Sequence, residues 1–309
     1  MIIFTTLAEG RYFFGVSALI NSIIKHGCYA DKIIIGYRGE LPNWLPTLTK
    51  SKNGQICKLK NDFEIEFIEI NGDLHMVHEK PKWFYDLSTK LEPNADEYFF
   101  FDSDIILVNR MSFFGEWVKQ GVSICEDVND GMSVNHPIRK QWIKLLKSNN
   151  LNLKTVPDKY YNSGFLGWQK SQIEFIEKWY ECSKILNKIS GDLKQFRVND
   201  RTNVVLSSNQ DSLNMAVMTS DSEISTIGPE AMGFTYGLSL MVHPLGPKPW
   251  DLNFTTMFLK GIPPRLGDLR FWEYANGEYL KPYKNSEIKW KLFWIKLYRF
   301  LSRFYGSKF

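Results

Sequence analysis

The sequence predicts an α/β fold built on a largely parallel sheet. Three observations carry that prediction. Apolar runs of strand length alternate with helix-period segments through the first half of the chain. The run Tyr98-Phe99-Phe100-Phe101 is apolar without interruption, the pattern of a strand covered on both faces. The chain of 309 residues, 44% hydrophobic and 23% charged, has globular composition and enough length for a sizeable core.

In chain order, residues 1–6 read as a strand, Ala8-Glu9-Gly10 as a loop, and residues 12–26 as a helix with apolar positions three and four apart. Residues 32–37 (KIIIGY) form a second strand. Residues 63–70 (FEIEFIEI) alternate apolar and acidic side chains, which predicts a half-exposed strand. A helix over 82–91 is stopped by Pro93 and leads into the apolar run at 98–101. Further strands are predicted at 121–125 and 164–168, with helices at 139–147, 172–186 and 211–218. With no internal repeat, low-complexity tract or convincing linker, residues 1–280 read as one domain and 281–309 as a tail.

Charge and cysteine usage narrow the function classes. The net charge of +4 is uneven: residues 281–309 hold eight Lys/Arg against the single acid Glu287, so the tail is +7 and the body −3. An acidic body with a basic end is not the pattern of a nucleic-acid binder. The four cysteines lie far apart without a C-x-x-C pair, and the amino terminus lacks the features of a signal peptide, so a reducing cytoplasm is the expected compartment. No stretch approaches about 20 apolar residues, which argues against a transmembrane helix.

Four clusters carry candidate chemistry. Asp102-Ser103-Asp104 follows the apolar strand, so two carboxylates at i and i+2 point to one side where α/β sheets bind ligands. Paired hard oxygens suit Mg²⁺ or Mn²⁺, which in turn would hold a diphosphate. A bare D-x-D also caps turns, but the flanking apolar residues draw this one into the fold. His243-Pro244-Leu245-Gly246-Pro247-Lys248-Pro249-Trp250 offers an imidazole for a metal, a glycine for close approach to a phosphate and a lysine for its charge. Asn162-Ser163-Gly164 precedes a strand, and Asn209-Gln210-Asp211 opens a helix in which Asp211 could equally be a cap.

Taken in order, Thr5-Thr6…Tyr12, F-D-S-D-I-I-L, Y-N-S-G-F-L, N-Q-D-S-L-N and H-P-L-G-P-K-P-W resemble the retaining glycosyltransferases of family 8, which include glycogenin and bacterial lipooligosaccharide α-galactosyltransferases. The matching order spans residues 2–250. The resemblance implies a GT-A fold, a single Rossmann-like nucleotide-sugar domain with a mixed, mostly parallel sheet, using a UDP-sugar and Mn²⁺ or Mg²⁺. It further implies metal ligation by Asp102, Asp104 and His243, and diphosphate contacts from Lys248 and the Gly246 backbone. Thr5, Thr6 and Tyr12 would hold uridine, Ser103 would touch ribose, Asp127 and Asn162 would bind donor-sugar hydroxyls, and Gln210 and Asp211 would lie near the anomeric carbon.

Two positions depart from the family pattern. Only Pro247 separates Gly246 from Lys248 where the family has two residues, a difference of about 3.3 Å in reach. Asn209 stands where the family often has Asp, leaving Asp211 as the nearby carboxylate. The basic residue that the family carries on the helix before D-x-D is matched by either Lys82 or Lys90. Gln210 is a poor nucleophile, which favours same-face attack over a covalent intermediate. Two competing readings are a non-catalytic nucleotide-sugar-binding or membrane-surface protein of the same fold, and a nucleotidyltransferase. A full metal triad argues against the first, and the lack of a Gly-rich basic loop after the first strand argues against the second.

The tail predicts an amphipathic helix. Ile288, Leu292, Ile295, Leu297, Phe300, Leu301 and Phe304 mostly recur three or four apart, with Lys289, Lys291, Lys296, Arg299 and Arg303 between them. With Trp290, Trp294, Tyr298 and Tyr305 at headgroup level, it suits the interface of an anionic membrane, where a lipid-linked or cell-surface glycan acceptor would be met. The expected location is therefore the cytoplasmic face of a membrane. The alternative is a helix docked on the domain or on a second subunit.

Overall fold

Tyr98 and Phe100 face one side of the central sheet while Phe99 and Phe101 face the other, and helices cover both. The computed structural model describes residues 1–59, 63–128, 131–190, 193–196 and 207–304. In chain order the strands are β1 (Ile2–Glu9), β2 (Lys32–Arg38), β3 (Thr49–Lys50), β4 (Gln55–Lys58), β5 (Glu64–Glu69), β6 (Glu97–Phe101), β7 (Ile106–Leu107), β8 (Val122–Glu126), β9 (Tyr161–Gln169), β10 (Ile224–Ile227) and β11 (Met241–Val242). Nine of them form one sheet in the order β10-β8-β9-β6-β1-β2-β5-β4-β3, and β11 and β7 form a separate antiparallel pair. Among the described residues, only β9 and β4 run against the other strands of the large sheet. The mixed, mostly parallel sheet is thus observed.

Helices α1 (Tyr12–Lys25) and α3 (Ser112–Val118) pack on one face, through Phe13, Val16, Leu19, Phe114 and Trp117. The other face is covered by α2 (Met76–Asp86), α5 (Ile173–Asn187) and α6 (Ser208–Thr219). Aromatic side chains knit these layers: Phe84 meets Phe100 at 4.6 Å, and Tyr98 stacks on Trp168 at 5.0 Å. The 15% aromatic content is therefore core material to a large extent. Helix α4 (Pro137–Ser148) closes a smaller cluster around Trp142, Tyr160 and Met215.

Three expectations need correction. The strand at 63–70 is not half-exposed: Glu66 is buried and its charge is met by Lys32 at 2.6 Å, with Ser51 also bonded to it. Helix α2 begins at Met76, before the predicted 82, because His75 caps it by accepting from Val77 N and Pro81 is accommodated inside. The segment 87–91 continues it as one wide turn. The short elements β3, β4, β7, β10, β11 and α3 were not foreseen, nor were α7 (Phe254–Leu259) and α8 (Leu266–Tyr274).

Helix α9 (Asn285–Leu301) is docked on the domain by one face. Ile295 and Tyr298 are buried with Phe254, Phe271 and Trp272 of α7 and α8, Tyr298 stacks on Phe258 at 4.5 Å, and Arg299 donates to the Pro264 carbonyl at 2.8 Å. The opposite face leaves Trp290, Phe293 and Phe300 exposed at 62, 57 and 53%, and Phe304, just past the helix, is exposed at 72%. No helix among the described residues is long and apolar enough to cross a membrane. Tyr305 and the remaining tail residues lie outside the described residues.

Candidate active site

The topology gathers distant sequence clusters at one edge of the sheet. Strands β1, β6 and β8 present their carboxyl ends there, and β9, being antiparallel to β6 and β8, presents its amino end. Asp102 therefore follows β6 directly beside Gly164 of β9, whose carbonyl accepts from Asp102 N at 2.7 Å. Asp127 follows β8 in the same way, next to Tyr161 and Asn162, where a bulge between Ile124 and Cys125 shifts the register. The small β7–β11 pair supplies the last component. Val242 pairs with Ile106, which places His243 against the turn that carries Asp104.

Asp102, Asp104 and His243 consequently converge, with one ligand atom from each lying within 4.8 Å of the others. His243 Nε2 is 3.4 Å from Asp104 Oδ1 and 3.9 Å from Asp102 Oδ2. Gly164 makes room for the imidazole, since a Cβ there would meet His243 Cε1 at 2.9 Å. His243 Nδ1 is buried without a hydrogen-bond partner among the described residues. Two carboxylates and one imidazole are a donor set suited to Mn²⁺ or Mg²⁺, so the residues fit such an ion.

Two lysines complete the first cluster. Lys248 Nζ is 2.5 Å from Asp104 Oδ2, and Lys80 Nζ is 2.6 Å from Asp102 Oδ1 and 3.1 Å from the Ser163 carbonyl. Burial alone would raise the Asp104 carboxyl, but His243 and the Lys248 ammonium beside it outweigh this and hold it well below the ordinary carboxylate range. Burial works against the Lys248 ammonium, and Asp104 reverses this and raises it. Lys80 was missed in the sequence. Lys82 and Lys90, the two residues matched to the basic position, both pair with Asp86 on the surface instead.

A second cluster adjoins the first through Gly164. Asn162 Oδ1 accepts from Gly164 N at 2.7 Å, and its Nδ2 donates to Asp127 Oδ2 at 2.6 Å. Gln210, in the first turn of α6, donates to the same Asp127 oxygen at 3.1 Å and accepts from Ser163 N at 3.2 Å. Asn214 fixes α6 to the start of β9 by exchanging two hydrogen bonds with the Tyr161 backbone. Asn209 donates to Ser163 Oγ at 2.9 Å.

Asp211 does not join them. It is fully buried in the first turns of α6, accepting from Tyr160 OH at 2.6 Å and reaching back to Ser207 N at 2.9 Å, which encloses it rather than leaving it open to a sugar. Thr5 is also turned away, its hydroxyl accepting from Trp83 Nε1 at 2.9 Å, whereas the Thr6 hydroxyl is buried without a partner among the described residues. Tyr12 stands at the amino end of α1, half-exposed, with its ring edge-on to Trp250 at 5.5 Å and Lys248 Nζ at 5.9 Å from its centroid. Ser103 lies in the turn between the two aspartates, where its carbonyl nearly touches α1 at Gly15. Gly246 adopts φ +74°, a conformation that favours glycine, and stands exposed beside the lysine.

No family model matches the sequence, and a search of curated proteins finds no match. Solved structures do resemble the fold. With the glycosyltransferase GlyE of Streptococcus pneumoniae TIGR4 the TM-score is 0.54 at 14% identity, covering 94% of this chain and 62% of that one. With the apo structure of the bifunctional glycosyltransferase WbbM it is 0.55 at 14% identity, covering 94% and 52%. The chain thus spans less than two thirds of either structure, and shares with them the fold of a glycosyltransferase.

Proposed function

We propose that the protein is a retaining glycosyltransferase that moves a hexose from a UDP-sugar to a saccharide acceptor with the help of Mn²⁺ or Mg²⁺. The observation that carries this reading is the convergence of Asp102, Asp104 and His243 at the carboxyl edge of a sheet whose fold is that of glycosyltransferases. The divalent ion would be held by these three side chains, and it supplies charge to offset what develops on the departing diphosphate. Lys248, beside Asp104, adds a cation on the same side, and Tyr12 offers a half-exposed ring for the uracil base.

Asp127, Asn162 and Gln210 form the second wall. Asp127 accepts from both amides, so each amide is held in one orientation beside the carboxylate. Gln210 presents an amide rather than a carboxylate and Asp211 is enclosed, which favours same-face attack, with the acceptor's proton passing to the leaving phosphate oxygen. UDP together with Mn²⁺ should raise the melting temperature, while an unchanged melting temperature with both present contradicts the reading.

The acceptor we propose is lipid-linked or part of a cell-surface glycan, met at an anionic membrane. The support is the outward face of α9 and the residues just past it, where Trp290, Phe293, Phe300 and Phe304 stand exposed among Lys289, Lys296 and Arg303. Replacing Trp290, Phe293 and Phe300 by serine should abolish flotation with anionic liposomes at low salt and leave the melting temperature unchanged. Flotation undiminished in that variant contradicts the membrane role.

A further inference from the structure

The wall made by Asp127, Asn162 and Gln210 is assembled from three separate stretches of chain, and one side chain outside it reaches all three. Arg139, in the first turn of α4, is fully buried. Its Nη2 donates to the Met132 carbonyl at 3.0 Å and to the Lys159 carbonyl at 2.6 Å, its Nε donates to the Ser133 carbonyl at 3.2 Å, and its Nη1 lies 3.7 Å from Met218 Sδ. Met132 and Ser133 belong to the stretch between Asp127 and α4. Lys159 leads into β9 and Asn162, and Met218 belongs to α6, whose first turn carries Gln210.

The hold on Lys159 acts on Asp127 most directly. Tyr160, the next residue, accepts from Asp127 N at 2.8 Å through its carbonyl, and its ring stacks at 6.3 Å on Trp142 of the same helix as Arg139. Two residues further on, Asn162 donates to the Asp127 carboxylate. A shift of the main chain at 159–160 therefore moves Asp127 and Asn162 together. The arrangement is costly, because burial works against the guanidinium and its charge is met by main-chain carbonyls. What it supplies is a planar fork that reaches carbonyls of two stretches at fixed angles, which neither a lysine nor an apolar side chain reproduces. We propose that Arg139 is a positioning residue for the donor sugar: it fixes the spacing of Asp127 and Asn162 without touching the hexose and so sets how the hexose is presented. The proposal rests on the UDP-hexose reading above, and it gives the second wall a support separate from the metal and nucleotide side.

The test measures UDP release from whichever of UDP-glucose, UDP-galactose and their N-acetylhexosamine forms the wild type cleaves fastest, beside the inhibition constant of UDP itself. In Arg139→Met we expect kcat/KM for that UDP-sugar to fall about a hundredfold, as for an ångström of misplacement, with the inhibition constant of UDP within about twofold of the wild type. Arg139→Lys keeps the charge and part of the hydrogen bonding, and should lose only about tenfold. If the methionine variant does not fold, the lysine variant decides by the same comparison. Equal weakening of UDP binding and of UDP-sugar turnover marks a general support of the fold and overturns the proposal. Unchanged kcat/KM in a folded variant also overturns it, while leaving the functional reading standing. Absence of UDP release from every one of these donors by the wild type overturns the functional reading and the proposal with it.

Discussion

Gln210 and Asp211 are neighbours in sequence with opposite fates, because the first turn of α6 points one at Asp127 and the other at Tyr160. Asp211→Asn should lower stability by about 1–3 kcal/mol, the usual effect of disturbing a buried charged hydrogen bond, and leave turnover per folded molecule intact. Gln210→Ala should hold its melting temperature and lose about a hundredfold in turnover, as expected when reacting groups shift by an ångström. Thermal melts beside steady-state rates separate the two, and the reverse pattern contradicts the assignment. Asp102, Asp104, His243, Asn162 and Gln210 stand out in sequence as members of short motifs and Asp127 as the end of a strand, but their spacing alone does not say that they meet. Lys80 and the enclosure of Asp211 do not stand out in it. On a helix the direction of a side chain depends on where the helix begins, and the internal Pro81 disguised that start.

At the scale of elements, the site depends on how closely α1 approaches the turn after β6. Gly15 allows it, since a Cβ there would lie 2.3 Å from the Ser103 carbonyl and 2.9 Å from the Trp250 ring. Gly15→Ala should force the D-x-D turn and the Trp250 segment apart. We expect about 1–3 kcal/mol of lost stability and weaker UDP binding, to be read by denaturant melts and nucleotide titration. Unchanged UDP affinity would show that the turn tolerates the displacement. The long strands and helices were readable because their periodicity extends over several residues. The pairs β7–β11 and β3–β4 were not, because strands of two to four residues have too little pattern of their own and are defined by their partners. His243 was thus recognised as a ligand candidate while the element that delivers it went unseen.

For the whole molecule, the basic end of the chain has an inner, packed face and an outer, exposed one. Its inner face completes the cluster around Phe254, Phe271 and Trp272, so removal of the chain from Asn285 onward should destabilise the domain by about 3 kcal/mol or more, the worth of re-exposing one or two large apolar side chains. An unaltered melting temperature in the truncated protein would contradict this. The amphipathic pattern was legible in sequence, but a pattern reports only that one face is apolar and not which surface covers it. The central claim, metal-assisted cleavage of a UDP-sugar at Asp102, Asp104 and His243, is tested most directly by UDP release from a panel of UDP-hexoses. At least one should be turned over with Mn²⁺, and chelation, Asp102→Asn and His243→Ala should each abolish it. Release undiminished in chelator and in those variants would contradict it.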